Sequence, residues 1–239
     1  MIDNKHSISV VTATYNAVDV LPQLIESLRA QEDKDFQWVV ADGASNDGTL
    51  ELLSKVTDLN LLVLSQPDFG IYDALNRAIN ASSGEYYIVS GADDAFYSHA
   101  IAEFKAAIVT SSADMIMANI NFGEKLLKPK KSAVWLWGFR TYVAGHTVAT
   151  AFKKDLHQRF GFYSKKYPLA ADQYFVMKAY ESGIKTILLD SIVGKMGTDG
   201  ISAIDMIGNA TEVFRIQIAL GRSKLLQGFV LLLRLLRAR

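Results

Sequence analysis

Short apolar runs alternate with helical patterns over the first 95 residues of this 239-residue chain, and this alternation restricts the folds that it can adopt. Each run ends in turn-forming residues, and the next segment carries apolar residues at helical spacing. Strands separated by helices and short loops are typical of right-handed βαβ units. The sequence therefore predicts an α/β fold with a mostly parallel sheet flanked by helices. The predicted strands are 8–14, 36–41, 61–65 and 86–89, and the helices between them are 20–28, 50–56 and 71–79.

Polar side chains concentrate in the loops that follow the predicted strands, whereas the loops that follow the helices are plainer. Ligands of parallel α/β sheets bind beyond the carboxyl ends of the strands, because the strand-to-helix loops meet there. The asymmetry predicts a site along that edge, although helix N-caps would also enrich Asp and Ser in these loops. The polar residues are Thr14, Asn16, Asp42, Ser45, Asp47, Asp68, Asp93 and Asp94.

Two adjacent carboxylates follow the fourth predicted strand. The apolar run 86–89 is succeeded by three small residues, 90–92, and then by Asp93 and Asp94. Hard divalent cations such as Mg²⁺ or Mn²⁺ favour one or two protein carboxylates and take their other ligands from water and substrate phosphates. The pair is thus a candidate Mg²⁺ or Mn²⁺ site, and the alternative is that it caps the next helix.

The second half alternates less regularly and carries a basic stretch followed by an aromatic one. The stretch 125–131 is either a solvated loop or a contact for a phosphate or lipid head group. The aromatic residues Trp135, Trp137, Phe139 and Tyr142 are either core or platforms on which a sugar ring or base stacks. Helical patterns in this half are 100–109 and the segment from Asp172 onward, and strand patterns are 115–120, 147–152 and 186–193.

The pattern is helical from Ile204 onward, and the end of the chain forms a basic amphipathic segment. Residues 222–239 hold five basic side chains, no acidic one and a broad apolar stripe. Such a segment can lie in the head-group plane of an anionic membrane. The alternative is a helix packed on its own domain or on a second copy of the chain. No apolar run reaches the roughly 20 residues that span a bilayer, so membrane contact would be peripheral.

The composition excludes several classes of protein. Lysine plus arginine equals aspartate plus glutamate at 25 each, so no overall basic field draws the chain to nucleic acid. The absence of cysteine excludes a disulfide framework and a thiolate nucleophile, and it fits a reducing compartment. The N-terminal sequence lacks the features of a signal peptide. We therefore expect a cytoplasmic protein, with a homo-oligomer left open as an option.

Three segments, taken in order, resemble the nucleotide-binding half of a family-2 glycosyltransferase of the GT-A fold, of the kind that assembles bacterial exopolysaccharide, O-antigen or colanic acid. They are ISVVTATYNAVDVLPQLIESLRAQ, WVVADGASNDGT and QPDFGIYDALNRAINASSGEYYIVSGADD. The resemblance continues through GHTVATAFKKDL, YPLAADQYFVMKAYESG and GTDGIS. It implies a GT-A catalytic domain at 1–202, with a nucleotide-sugar-binding half at 1–95 and an acceptor half at 96–202. A C-terminal amphipathic helical extension at 203–239 follows.

The resemblance assigns roles on the side of the nucleotide-sugar donor. A divalent cation bridging the diphosphate would offset the charge of the leaving group, and metal binding is assigned to Asp94 first and Asp93 second. Asp42 corresponds to the carboxylate that hydrogen-bonds the nucleotide base. The commoner family pattern has an acidic pair where this chain has Ala41-Asp42, which leaves the preferred nucleotide open. The other residues implied in donor binding are Thr14, Tyr15, Asn16, Ser45, Asp68, Asp73, Asn76, Arg77 and Asp93, and a solvated helix face is the alternative for Arg77.

On the acceptor side, the resemblance implies an inverting single displacement in which Asp172 takes the proton of the attacking hydroxyl. The alternative is that Asp172 only caps its helix. His146 corresponds to a His-Gln or His-Thr pair in relatives, with a purely structural role as its alternative. The Gln-x-x-Arg-Trp signature of processive synthases is absent, which indicates transfer of one sugar to a saccharide or lipid-linked saccharide.

Two other functions are alternatives to glycosyl transfer for an α/β chain of this kind. A dinucleotide-dependent oxidoreductase would need G-x-G-x-x-G after the first strand, where this chain has Thr14-Tyr15-Asn16-Ala17. A non-catalytic, membrane-docked nucleotide-sugar-binding or scaffold subunit is the alternative that stays open. If the protein docks on a membrane, the tail at 222–239 is the segment that would contact the inner face of the cytoplasmic membrane.

Overall fold

The computed structural model describes residues 7–197 and 205–237, and its first half confirms the predicted alternation. Four strands are separated by three helices, and each element begins and ends within two residues of its predicted bounds. Pro22 lies in the first turn of the first helix, where a missing N–H costs nothing. The elements are β1 (Ile8–Thr14), α1 (Leu21–Arg29), β2 (Gln37–Asp42), α2 (Thr49–Ser54), β3 (Leu61–Ser65), α3 (Ile71–Ala81) and β4 (Tyr86–Ser90).

The described part of the second half adds three short strands, two longer ones and six α-helices. Of the GTDGIS segment that the sequence singled out, only Gly197 lies within the described residues. The elements are β5 (Ala95–Phe96), α4 (Ala100–Ser111), β6 (Met115–Phe122), β7 (Lys125–Leu127), α5 (Val134–Trp137), a 3₁₀ helix (Gly138–Thr141), β8 (Thr150–Lys153), α6 (Leu156–Phe160), α7 (Ala171–Glu181), β9 (Thr186–Met196), α8 (Met206–Ala219) and α9 (Lys224–Arg237).

The nine strands of the described residues form one sheet in the order β3-β2-β1-β4-β8-β6-β9-β5, with β7 paired to β6. Strands β1 to β4 are mutually parallel, and β6 is parallel to β9. Strand β8 is antiparallel to both β4 and β6 and therefore joins the two parallel parts. The predicted mostly parallel sheet is confirmed for the first half, and the second half makes the whole sheet mixed.

Helices cover both faces of the sheet because successive side chains of a buried strand point to opposite sides. Val10 packs in one apolar layer together with α1 and α4, whereas Val11 packs in the other with α3 and α7. Helix α8 adds Val213 and Ile216 to that second layer. The predicted domain boundary at residue 202 stays a prediction. Helix α8, the first described helix beyond it, contributes to the apolar core of the predicted domain at 1–202.

The strand registers bring the predicted polar loops to one edge. Thr14 is opposite Asp42, Asp42 is opposite Ser65, and Thr12 is opposite Ser90. Strand β1 lies between β2 and β4, so the ends of β2 and β4 are two strand spacings, roughly 10 Å, apart. Asp42, at the end of β2, and the loop that carries the Asp93–Asp94 pair therefore lie at the same edge of the sheet, on either side of β1.

The predicted helical tail consists of two helices. Helix α8 ends at Ala219, and the chain turns through Gly221, which has a φ of +82°, before α9 begins at Lys224. Helices α8 and α9 pack against each other. Within residues 7–197 and 205–237, none of the helices combines the length and the apolar character needed to cross a bilayer.

Candidate active site

Asp42 is the centre of a hydrogen-bond cluster that joins the ends of three strands. Its carboxylate accepts hydrogen bonds from Thr14 Oγ1 at 3.1 Å, Ser45 N at 2.9 Å, Ser45 Oγ at 2.5 Å and Ser65 Oγ at 2.9 Å. Burial alone would raise the pKa of Asp42, but these donors outweigh it and the pKa lies below the usual value. The carboxylate has about four acceptor positions in all. A contact with a nucleotide base would therefore require one of these donors to give way.

The loop after β1 is fixed against the loop after β2. Asn16, with a φ of +48°, receives a hydrogen bond at Oδ1 from Asn46 N at 3.0 Å and donates its own N–H to Ser45 Oγ at 2.8 Å. Tyr15 is left with 68% of its side chain exposed at the sheet edge. Its ring and the Asp68 carboxylate enclose Gly43 so closely that a Cβ there would lie 2.8 Å from Asp68 Oδ2. The residues predicted to form the wall of a base pocket therefore lie together with an exposed aromatic ring, and their role in base binding stays a prediction.

Two of the predicted donor-binding residues on α3 point instead toward the second half of the chain. Asn76 makes two hydrogen bonds with the backbone of Tyr163, one at 2.9 Å and one at 3.0 Å. Asp73 lies 3.2 Å from Lys165 Nζ. Since these partners come from a loop nearly 90 residues away, local sequence could not reveal them. Their role in donor binding stays a prediction, and the structure places them between α3 and the 163–165 segment.

Arg77 lies against the end of β2 rather than on a solvated helix face, which corrects that alternative. Its Nη2 donates to the backbone carbonyl oxygen of Asp42 at 3.0 Å. Its Nε and Nη1 are buried and have no protein hydrogen-bond partner. A buried donor without a partner costs about 1–3 kcal/mol. A water or a ligand would have to supply the acceptor for these two groups.

Asp93 and Asp94 have different surroundings although they are neighbours in sequence. Asp94 is 2% exposed, and its two oxygens accept hydrogen bonds from Gly91 N at 2.7 Å and Gly197 N at 2.8 Å. Burial raises the pKa of Asp94 to about 6, and the charge of Asp93 adds to that shift. Asp93 instead lines a cleft of about 510 Å³ together with Asp19, Lys195 and Gly197. Asp93 is thus the member of the pair that faces the cleft.

The pair fits a hard divalent cation. Among residues 7–197 and 205–237 there is no group of three or more His, Cys, Asp and Glu side chains that could hold a metal. A cation with two protein carboxylates and remaining ligands from water and a diphosphate is the usual arrangement for Mg²⁺ at a phosphate site. Gly197 is packed so tightly against Asp93 that a Cβ there would lie 1.9 Å from Oδ2, so only glycine leaves room for the carboxylate. The predicted order of Asp94 before Asp93 stays untested, and the exposure of Asp93 favours it as the ligand on the cleft side.

Asp172 is the second residue of α7, and its carboxylate is not used as a helix cap. Its Oδ1 accepts a hydrogen bond from Tyr72 Oη at 2.5 Å, and its Oδ2 lies 3.9 Å from His146 Nδ1. The side chain remains 16% exposed. The segment that carries His146 lies beside β4, because Thr147 pairs with Val89. The structure therefore brings Asp172 and His146 together next to the strand that ends at the carboxylate pair.

His146 belongs to a buried chain of ring groups that extends away from Asp172. Its Nε2 lies 2.7 Å from Tyr163 Oη, which lies 3.1 Å from Tyr87 Oη, which in turn lies 2.7 Å from His157 Nε2. Burial lowers the pKa of His146, and it lowers the pKa of His157 to about 4. Both imidazoles are therefore neutral near pH 7. His146 acts here as a hydrogen-bonded support beside Asp172 rather than as a cation.

Glu212 is a residue that the sequence did not single out. It lies on α8 with 7% exposure, and one of its oxygens accepts hydrogen bonds from Leu169 N and Ala170 N, both at 2.9 Å. Ala170 is the N-cap of α7 and its own side chain cannot cap the helix. Glu212 therefore accepts hydrogen bonds from the backbone N–H groups two and three residues before Asp172. No local signal could have found it, since its partners are more than 40 residues away in sequence.

We expect Glu212→Ala to lower the turnover number about tenfold while donor affinity changes little. The variant loses two hydrogen bonds of about 1 kcal/mol each, and the start of α7 is then free to shift Asp172 from its position. Glu212→Gln keeps an acceptor oxygen and should restore most of the rate. Glu181→Ala, at the other end of α7, is the matched control. Equal losses of donor affinity and turnover in Glu212→Ala, measured by calorimetry and initial rates, would contradict a positioning role.

Sequence comparison finds distant relatives that are named as glycosyltransferases. The chain is 24% identical over 186 residues to a PGL/p-HBAD biosynthesis glycosyltransferase of Mycobacterium bovis, which covers 73% of this chain and 70% of the relative. It is also 27% identical over 138 residues to a cholesterol galactosyltransferase of Borreliella burgdorferi, which covers 54% of this chain and 38% of the relative.

Solved structures share the fold over nearly the whole chain. S. aureus TarS in complex with UDP-GlcNAc superposes with a TM-score of 0.72 at 19% identity, covering 94% of this chain and 70% of that one. The mannosyltransferase PcManGT of Pyrobaculum calidifontis, in complex with GDP-Man and Mn²⁺, gives a TM-score of 0.71 at 20% identity and covers 95% and 68%. The predicted GT-A fold is confirmed. The family profile of glycosyl transferase family 2 matches residues 9–164, and the chain therefore belongs to that family of nucleotide-sugar-dependent glycosyltransferases.

Proposed function

We propose that this glycosyltransferase moves one sugar from a nucleoside-diphosphate sugar to an acceptor hydroxyl with inversion at the anomeric carbon. The observation that carries the proposal is the position of Asp93, which lines the cleft beyond β4 while Asp94 is held beneath it by Gly91 N and Gly197 N. Mg²⁺ or Mn²⁺, when bound, would offset the negative charge that develops on the departing diphosphate. Asp93 and Asp94 are the residues that would hold it.

The donor's nucleotide is proposed to lie against the loops after β1 and β2. Tyr15 offers an exposed ring face on which a base can stack. Arg77 offers two buried N–H donors without protein partners, next to Asp42. TarS and PcManGT were solved with UDP-GlcNAc and GDP-Man, which supports a nucleotide sugar as the ligand class for this fold. Uridine and guanosine diphosphate sugars are therefore the first donors to test.

Asp172 is proposed to act as the general base. The acceptor oxygen would attack the anomeric carbon as its proton passes to an Asp172 oxygen, and the electron pair of the breaking bond would go to the β-phosphate oxygen. The hydrogen bond from Tyr72 Oη to Oδ1 orients the carboxylate and leaves Oδ2 as the oxygen on the other side, near His146. One displacement of this kind inverts the anomeric configuration.

The acceptor is proposed to be a lipid-linked saccharide in bacterial surface polysaccharide synthesis, used at the inner face of the cytoplasmic membrane. Two observations support a lipid-bound acceptor: one relative is named for cholesterol, which is a lipid, and the tail at 222–239 is basic and rich in leucine. The alternative of a non-catalytic, nucleotide-sugar-binding subunit predicts binding of the donor without its turnover.

A thermal-shift panel of UDP- and GDP-sugars, each with and without Mn²⁺, tests the proposal directly. A ligand at about a hundredfold over its dissociation constant stabilises the fold by about 2.7 kcal/mol, which gives a clear shift. We expect a shift with one nucleotide class that is lost on chelation of Mn²⁺, and release of nucleoside diphosphate when acceptor is added. Binding of every donor with equal strength in the presence of a chelator would refute the metal-assisted mechanism. Donor binding with no turnover of any acceptor would favour the non-catalytic subunit.

A further inference from the structure

Helix α9 turns two polar side chains, Gln227 and Arg234, toward the protein and most of its apolar side chains outward. Gln227 and Val230 are buried, and Arg234 is partly buried on the same face. The opposite face is apolar, with side-chain exposures from 39% to 89%. This orientation is the reverse of what is expected for a helix on the surface of a protein in water. The outward residues are Leu225, Leu226, Phe229, Leu232, Leu233 and Leu236.

Hydrogen bonds to α5 fix this orientation. Helix α5 is a single turn of four residues, so its carbonyl oxygens cannot all find partners within the helix. Gln227 Nε2 donates to Trp135 O at 2.8 Å, and Arg234 Nη2 donates to Leu136 O at 2.7 Å. From α8, Gln217 Nε2 donates to Val134 O at 3.1 Å. Because the two α9 donors reach successive carbonyls of α5, the leucine face of α9 points away from the protein.

The surface next to the leucine face is basic and aromatic. The sequence contains no acidic residue between Glu124 and Asp155 and none after Glu212. Trp135 and Trp137 of α5 are each 40% exposed, and Lys130 Nζ lies 5.1 Å from the centre of the Trp137 ring. The chain as a whole has no net charge, so this region is a local concentration of positive charge. The exposed cations of the region are Lys128, Lys130, Lys131, Arg140 and Lys224.

We propose that α9 and α5, with the basic segment 128–131, form one docking surface for an anionic lipid bilayer. Leucine and phenylalanine on one side of a helix with cations around it are the features of a helix that lies in the head-group plane, and tryptophan favours the same depth. Each cation near an anionic leaflet contributes attraction. A second copy of the chain fits this surface poorly, because two such faces would bring their cations together without an acidic partner. The sequence alone predicted that the tail can contact a membrane. Only the fold places the α5 tryptophans and the basic segment next to it.

The docking surface is connected to the candidate base through α8. Gln217 on this helix contacts α5, and Glu212, five positions earlier, holds the backbone before Asp172. Five residues of α-helix span about 7.5 Å. An acceptor anchored in the bilayer would thus be presented on the side of the protein that carries Asp172. In this respect the inference rests on the proposed function, which assigns a lipid-linked acceptor, whereas the docking itself requires neither donor nor acceptor.

Co-sedimentation of the full-length protein with vesicles tests the surface. We expect the protein to pellet with vesicles of equal parts phosphatidylcholine and phosphatidylglycerol, without nucleotide sugar, and to remain in solution with phosphatidylcholine alone. Leu225→Gln combined with Leu232→Gln should weaken binding about tenfold or more, since each variant removes an exposed leucine from the apolar face. Val109→Gln, which changes an exposed apolar residue of α4, should leave binding unchanged.

A second pair of variants tests the contribution of the basic segment 128–131. Lys128→Gln with Lys130→Gln should weaken binding to the anionic vesicles about tenfold, and Lys55→Gln with Lys185→Gln, exposed lysines elsewhere, should not. Donor binding, measured without vesicles, should be the same in all variants, so a failed docking surface and a failed donor site give different results. The proposal is overturned if the protein does not pellet with the anionic vesicles. It is also overturned if the protein is a dimer that Leu225→Gln with Leu232→Gln dissociates, since the face would then belong to a second copy.

Discussion

Replacing Asp172 with Asn is expected to lower the rate of sugar transfer about 100- to 10,000-fold while donor binding is retained. The amide cannot take the proton of the acceptor hydroxyl, whereas it can still accept the hydrogen bond from Tyr72 Oη and fill the same volume. The start of α7 should stay in place, because Glu212 rather than Asp172 receives the backbone N–H groups there. Initial rates with saturating donor, together with donor affinity by calorimetry, measure the two effects separately.

Asp205→Asn is the matched control for this variant. Asp205 is also an aspartate at a helix start, and its carboxylate accepts a hydrogen bond from Gly208 N at 2.7 Å as an N-cap of α8. If Asp172 were no more than a helix residue, both variants would lose some thermal stability and retain transfer. Full activity of Asp172→Asn would therefore show that Asp172 is not the general base. Loss of donor affinity in the same variant would indicate that Asp172 binds the donor.

Replacing Asp93 with Asn is expected to weaken donor binding in the presence of Mn²⁺ about 100-fold or more, and to leave any metal-independent binding unchanged. Loss of a residue that merely orients a metal ligand already costs about 10- to 100-fold in affinity, and Asp93 is proposed to be a ligand itself. The measurement is a calorimetric titration of the donor at several Mn²⁺ concentrations. Asp58→Asn, which loses only a surface ion pair with Arg29, serves as the control.

A substitution of Asp93 tests metal binding more directly than a substitution of Asp94. Both oxygens of Asp94 accept backbone N–H groups, from Gly91 and from Gly197. An asparagine there has one carbonyl oxygen, so its NH₂ group would face a backbone N–H, and a buried mismatch of this kind costs about 1–3 kcal/mol. Asp94→Asn would therefore change the fold around the cleft as well as the charge. Unaltered Mn²⁺-dependent affinity in Asp93→Asn, with its thermal stability intact, would exclude Asp93 as a ligand.

The donor half was predictable because its signals are local. Apolar periodicity marks each strand and helix, and the turn residues that follow each strand mark the edge at which loops meet. From these signals the polar residues after β1, β2 and β4 were expected to lie together, and the strand registers confirm it. The position of Arg77 was less well predicted. Its helical spacing allows a solvated face, and only the closeness of α3 to the end of β2 buries its guanidinium.

The acceptor half depends on contacts that join distant parts of the chain. Asn76 pairs with Tyr163 across 87 residues, and Tyr72 reaches Asp172 across 100. The pattern at 147–152 predicted a strand near β8 (Thr150–Lys153), but it could not show that this strand is antiparallel to β4 and β6 and joins them. Side-chain hydrogen bonds across such separations depend on where whole helices lie. No spacing rule within one helix or strand contains that information.

The sequence by itself determined the parallel α/β core, the edge that carries Asp42 and the Asp93–Asp94 pair, and the amphipathic character of the tail. All three follow from side-chain periodicity and turn chemistry, which act over a few residues. Only the tertiary structure decided that Glu212 supports the start of α7 and that the leucine face of α9 points outward. The physical reason is the same for both. A buried carboxylate or amide must find donors or acceptors, and in this fold those partners are backbone groups far away in sequence.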